Sequence, residues 1–229
     1  MSLEAAVTLT AQPGRTGRGV RIAIVDSGVH VPHPHLGGVA GGTAFDDDGR
    51  EHNDFIDRLG HGTAVAAAIH EKAPDAVLLA AKVFDRTLAA TGFALAAAIR
   101  WAIGQRVHII NLSLGTANAD HRARLEDVVG GASEAGITIV AAAPDEQHAW
   151  LPGSIPGVVA VELDWACPRD TCHMSHDPRG QMRVRASGYP RPIPGVPPER
   201  NLRGVSFAVA NATGLLAQAM EADLAKTDQ

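Results

Sequence analysis

The chain has 229 residues, of which 45% are hydrophobic, 20% charged and only 4% aromatic. Such a composition excludes global disorder and supports a core of small, closely packed side chains. The formal net charge of −5 and the lack of a basic stripe argue against nucleic acid as a partner. No apolar run is long enough to span a membrane, and two cysteines make no disulfide framework.

Residues 1–19 read as a polar lead-in, and residues 1–229 as a single domain. Met1–Gln12 lacks a positive start followed by an apolar core, so no secretion signal is read and the cytoplasm is the expected location. Val20–Val25 is a short β-branched run that predicts a buried strand, ending at Asp26-Ser27-Gly28. Residues 30–59 are loop-like. Within them, Asp46-Asp47-Asp48-Gly49 resembles part of a calcium loop but lacks its spacing, and reads as a solvated turn. Leu59–Thr63 leads into an alanine-rich helix over Ala64–His70. A strand is predicted over Ala76–Val83, a helix over Thr87–Ile103 and a strand over Val107–Leu114. These are followed by a helix over Arg122–Ala135 stopped at Gly136, then strands over Ile137–Ala143 and Gly157–Leu163. Val184–Ala186 makes a short strand, residues 187–203 a proline-rich loop, and a last helix runs from near Ser206 through Asn211–Lys226. The alternation of strands and helices predicts an α/β fold of three layers, a mostly parallel sheet with helices on both faces.

Three residues stand at points where such a fold concentrates chemistry. Asp26 is at a strand end, where an Asx turn is the plain alternative. His61 is at or just before a helix start, where the positive dipole end favours a neutral imidazole, the form a general base requires. Ser206 lies in the first turn of the last helix. There its hydroxyl is accessible and its own N–H lacks a helical partner, although a helix cap is the simpler reading of a lone serine.

The flanks of these three residues resemble a known family, the subtilisin-like serine proteases. Val25-Asp26-Ser27-Gly28 is similar to its aspartate motif, and Gly60-His61-Gly62-Thr63-Ala64-Val65-Ala66 to its histidine motif. Asn111-Leu112-Ser113-Leu114-Gly115 resembles its cleft strand, and Gly204-Val205-Ser206-Phe207-Ala208 its serine motif. Lys82-Val83, Trp101-Ala102-Ile103 and Gly153–Val161 also fall where the family has counterparts, and the order Asp, His, Ser is the subtilisin order. The resemblance implies a serine endopeptidase that needs no cofactor and no catalytic metal. Ser206 would attack a peptide carbonyl, His61 would act as base and Asp26 would orient His61. The substrate would be an extended peptide added as a strand beside Ser113, Leu114 and Gly115.

The departures fall at the oxyanion site. Where the family has an asparagine that donates to the oxyanion, this chain has Asp145, and Val205 replaces a threonine before the serine. An ionised aspartate has no N–H to donate, which leaves Gln147 or His148 as candidate donors from the same loop. The family's proline four residues after the serine is Ala210. The resemblance also implies a prodomain and, in some members, a calcium loop after the histidine helix. Neither has room here, so no tight calcium site is expected. The chain thus reads as a processing protease with a dedicated precursor peptide or partner. The alternative is a catalytically weak pseudoprotease that binds peptide as a scaffold. Cys167 and Cys172, with His173 and His176, leave free thiols, a local bridge and a cramped zinc site all open. His30, His33 and His35 read as loop histidines, and Trp150 and Phe207 as cleft or packing residues.

Overall fold

A computed structural model describes residues 7–147 and 149–227. Its strands are β1 (Val7–Thr10), β2 (Arg21–Asp26), β3 (Gly41–Phe45), β4 (Glu51–His52), β5 (Val77–Lys82), β6 (Ile109–Leu112), β7 (Thr138–Ala142), β8 (Val159–Leu163), β9 (Thr171–His176) and β10 (Met182–Ala186). The helices are α1 (His61–Lys72), α2 (Gly92–Gly104), α3 (Arg122–Glu134) and α4 (Val205–Thr227). All the strands join one 10-stranded sheet in the order β1-β9-β10-β8-β7-β6-β2-β5-β3-β4. From β10 through β3 every neighbour is parallel; β1, β9 and β4 are the antiparallel additions at the two ends.

A strand covered on both faces reads as a continuous apolar run, and its alternation appears only in what each side chain meets. In β2, Ile22 and Ile24 pack with α1 and α4 on one face, while Ala23 and Val25 pack with α2 and α3 on the other. The two clusters are the two cores of a three-layer α/β fold, as the alternation of the sequence implies.

Several elements differ from the sequence reading. The lead-in contributes β1, an edge strand whose Val7 is exposed. Residues 30–59 contain β3 and β4, and Asp46 closes the turn between them by accepting from the N–H groups of Asp48 and Arg50. The helix predicted from Thr87 begins only at Gly92. Thr91 caps it, its hydroxyl accepting from Ala94 N at 3.1 Å, so residues 86–91 remain a loop. Residues 171–176 form β9, which accounts for the cysteine and histidine run. Alternation along the strand buries Cys172 in the core and turns His173 to Thr8 Oγ1 at 3.1 Å. Cys167 and Cys172 are both buried free thiols, and burial pushes Cys172 up to about 12.

Candidate functional site

Asp26 is the last residue of β2, the strand from which the chain leaves the centre of the sheet at its C-terminal edge. Functional groups in open parallel sheets collect at such edges. Asp26 is fully buried. Its Oδ1 accepts from Ser27 N at 2.7 Å and from His61 Nδ1 at 2.8 Å. The carboxylate thus holds the ring proton on Nδ1 and leaves Nε2 of a neutral ring as an acceptor.

His61 is the first residue of α1, which starts three residues earlier than the sequence suggests. A second carboxylate, Asp57, builds this corner. Its Oδ1 accepts from Ser27 Oγ (2.9 Å), Leu59 N (2.9 Å) and Gly60 N (2.8 Å). Its Oδ2 accepts from Thr63 N (2.9 Å) and Thr63 Oγ1 (2.6 Å). Asp57 therefore satisfies the first-turn Thr63 N–H of α1, which the cap residue Gly60 has no side chain to serve, along with the N–H groups of Leu59 and Gly60 just before it. Ser27 Oγ in turn accepts from Gly62 N at 2.9 Å, which links the Asp26 loop to the same helix start. Only glycine fits after His61: a Cβ on Gly62 would collide with the Gly28 carbonyl and lie 3.1 Å from Asp26 Oδ1.

The helix-dipole argument from sequence favours a lowered His61, and the structure reverses it. Burial does pull the imidazolium down, but the hydrogen bond and charge of Asp26, with the charge of Asp57, outweigh it and leave His61 above its usual 6.5. Burial alone would raise Asp57, yet the hydrogen bonds from Thr63, Ser27 and Gly60 hold it below the ordinary carboxylate value.

Ser206 is the second residue of α4, reached through Gly204 at φ 146°, a conformation that only glycine adopts readily. A buried chain of hydrogen bonds fixes this helix start against β6. Thr213 Oγ1 donates to Asn111 Oδ1 (2.9 Å), Asn111 Nδ2 to Ser113 Oγ (2.9 Å) and Ser113 Oγ to the Ser206 carbonyl (3.2 Å). Ser206 Oγ donates back to the Ser113 carbonyl at 3.1 Å. A hydroxyl has one proton, so while Ser206 donates it to the Ser113 carbonyl it does not donate it to His61. Phe207 packs under the His61 ring at 5.8 Å between centroids and belongs to the core.

His61 and Ser206 open onto one cavity of about 790 Å³. Ser113, Leu114 and Gly115 form one wall, Ala142–Asp145 with Trp150 the other, and Leu88–Gly92 and Val205 lie at its margin. The two walls are tied by paired backbone bonds of 2.9 Å between Thr116 and Leu151. The cavity also reaches Glu162 at the end of β8, a residue with no distinguishing sequence signal. The Asp145 carboxylate is bound within its own loop: Oδ1 accepts from Gln147 N at 2.8 Å and Oδ2 from Trp150 Nε1 at 2.7 Å. Gln147 thus spends its backbone N–H on Asp145, and His148 lies outside the described residues. Ala210 is buried inside α4.

The structure brings together Asp26, His61, Ser206, Ser113, Leu114, Gly115, Asp145 and Val205 around this cleft. Asp57 and the Asp145 contact of Trp150 were missed. An aspartate four residues before a helix-starting histidine is a capping signal that could have revealed Asp57.

A family model described as the subtilase family matches residues 17–163. The chain belongs to the subtilase family. Among individual subtilases, it is 31% identical over 217 residues to subtilisin E of Bacillus subtilis (strain 168), covering 88% of this chain and 53% of that protein. It is 38% identical over 159 residues to a thermostable alkaline protease of Halalkalibacterium halodurans, covering 65% of this chain and 42% of the relative. The chain spans about half the length of these curated relatives. Among solved structures, the prenylagaramide maturation protease PagA superposes with a TM-score of 0.68 at 25% identity, over 93% of this chain and 79% of that one. The protease domain of PatA shares the fold, with a TM-score of 0.67 at 24% identity, over 94% of this chain and 84% of that one.

Proposed function

We propose that this subtilase is a serine endopeptidase in which Ser206 attacks, His61 is general base and then acid, and Asp26 orients His61. The observation that carries the reading is the 2.8 Å Asp26–His61 contact at the edge of the cavity that also holds Ser206. An imidazole oriented by a buried carboxylate, with Nε2 left as acceptor, is the form that can take a serine proton. An extended peptide would lie along Ser113–Gly115, its scissile carbonyl over the first turn of α4. The Ser206 N–H and the positive end of α4 would face the oxyanion there.

The likeness to a maturation protease supports a precursor peptide as substrate. We keep the chain as a single peptidase domain and place it in the cytoplasm; two buried free thiols fit a reducing compartment. Among the described residues, no helix is long and apolar enough to cross a membrane.

The test is turnover of a mixed peptide library at neutral pH, read by mass spectrometry, with wild type beside Ser206→Ala. Cleavage confined to wild type is the expected result. A folded wild type that neither cleaves nor reacts with a fluorophosphonate through Ser206 would sink the peptidase reading. That outcome favours the second reading, a peptide-binding pseudoprotease, which draws on the Ser206 hydroxyl bonded to Ser113 and on the carboxylate in the cleft wall.

A further inference from the structure

Asp145 poses a problem that the proposed reaction has to solve. It lines the cavity that Ser206 opens into, and attack by Ser206 creates negative charge there. A carboxylate turned toward that charge raises the barrier, whereas one turned away and bound to N–H donors does not. Both oxygens of Asp145 meet N–H groups of its own loop, Gln147 N at 2.8 Å and Trp150 Nε1 at 2.7 Å. Hydrogen bonds to an ionised acceptor are the stronger kind, so the pair fixes the direction of the carboxylate as well as offsetting its charge.

The Trp150 ring is itself held. It packs against Gly115 on the facing wall, with ring and Cβ atoms 3.5–3.6 Å from where a Cβ on that glycine would stand. The next residue, Leu151, is fully buried and paired to Thr116. The indole therefore spans the cleft walls, with its N–H aimed at Asp145.

We propose that Trp150 is a positioning residue that holds the Asp145 carboxylate in its loop and keeps its charge off the oxyanion formed at Ser206. The inference rests on the serine peptidase reading. Trp150→Phe keeps the ring against Gly115 and removes the donor to Asp145 Oδ2, which weakens the hold on the carboxylate while Gln147 N stays on Oδ1.

The readout is the second-order rate of fluorophosphonate labelling at Ser206. That reaction also builds negative charge on oxygen beside the serine, and it needs no knowledge of the natural substrate. Trp150→Phe should slow labelling about tenfold, a fraction of the loss seen when an oxyanion donor is removed. Adding Asp145→Ala should restore the rate to within about twofold of Asp145→Ala alone, because the charge to be restrained is gone. A purely structural role for Trp150 predicts equal losses in both backgrounds, and that result overturns the proposal. So does an unchanged rate in Trp150→Phe. Thermal melting of each variant separates loss of fold from loss of rate: a Trp150→Phe that unfolds and is not rescued by Asp145→Ala counts against it. No Ser206 labelling in folded wild type removes the peptidase reading instead.

Discussion

Around His61, two carboxylates are held from inside the fold, although Asp26 Oδ2 is buried with no hydrogen-bond partner among the described residues. Asp26 is buried and binds the imidazole, and Asp57 accepts from two hydroxyls and three backbone N–H groups. Around Asp145, donors two and five residues away in the same loop bind the carboxylate, on a segment whose described residues are mostly exposed. The base corner is fixed by strand β2, helix α1 and the core between them. Contacts that hold the facing wall include the Trp150 indole and the Thr116–Leu151 backbone bridge. Buried, mutually dependent hydrogen bonds tolerate little change, because each lost partner strands another polar group. A local loop contact can be exchanged at little cost to the fold. Specialisation of this subtilase should therefore be concentrated in the 143–150 wall rather than in the base corner.

The sharpest way to break that contrast is to disable the base corner. Asp26→Asn leaves the shape and reverses the hydrogen bond that His61 needs, and kcat should drop by about 10⁴-fold. A steady-state assay on a cleaved library peptide measures it, and a loss under tenfold would mean that His61 is not the base. Next in size is Asp57→Ala, which leaves three backbone N–H groups at the start of α1 and two hydroxyls without this acceptor. It should lower stability by roughly 2–4 kcal/mol in chemical denaturation. Because Asp57 is held below its usual value, its stabilisation is present above about pH 4 and fades as the pH falls through its folded value. Wild type and Asp57→Ala melting curves should therefore converge in acid.

The facing wall gives gains as well as losses. Asp145→Asn supplies an N–H where the charge was, and kcat should rise up to about tenfold. Unchanged or lower turnover would mean that the oxyanion is held by other groups.

The pH profile links the two regions. His61 must be neutral to act, and its value lies above 6.5. The acid limb of kcat/KM should then have its midpoint above 6.5, with activity rising as the proton leaves. Removing the charge in Asp57→Asn should move that midpoint down by a fraction of a unit. A shift upward would contradict the sign of the Asp57 effect. The smallest effect belongs to the loop margin: Thr91→Ala removes the α2 cap and should cost about 1 kcal/mol, with little change in turnover.

Much of this site was legible in the sequence because its motifs are local. Asp26, His61 and Ser206 each sit where a strand ends or a helix begins, and short runs of flanking residues encode those boundaries. The same locality made Gly62 and Gly204 readable as part of their motifs. Edge strands β1 and β4, and β9 beside β1, were not legible, since a short polar strand is defined by its partners and not by its own pattern. The direction of the His61 shift was not legible for a related reason. The dipole of α1 follows from sequence, but the hydrogen bond and charge of Asp26 and the charge of Asp57 reach His61 only through packing.

What the sequence determined by itself was the alternation of elements, the two-sided core and the order of the three candidate catalytic side chains. Covalent connectivity and hydrophobic periodicity carry that information along the chain. Only the tertiary structure decided that Asp26 lies 2.8 Å from His61, that the Ser206 hydroxyl meets the Ser113 carbonyl, and that Asp145 faces Trp150. Those contacts depend on how strands and loops distant in sequence pack together. Hydrogen bonds are so short-ranged that an ångström of displacement would make or remove each of them.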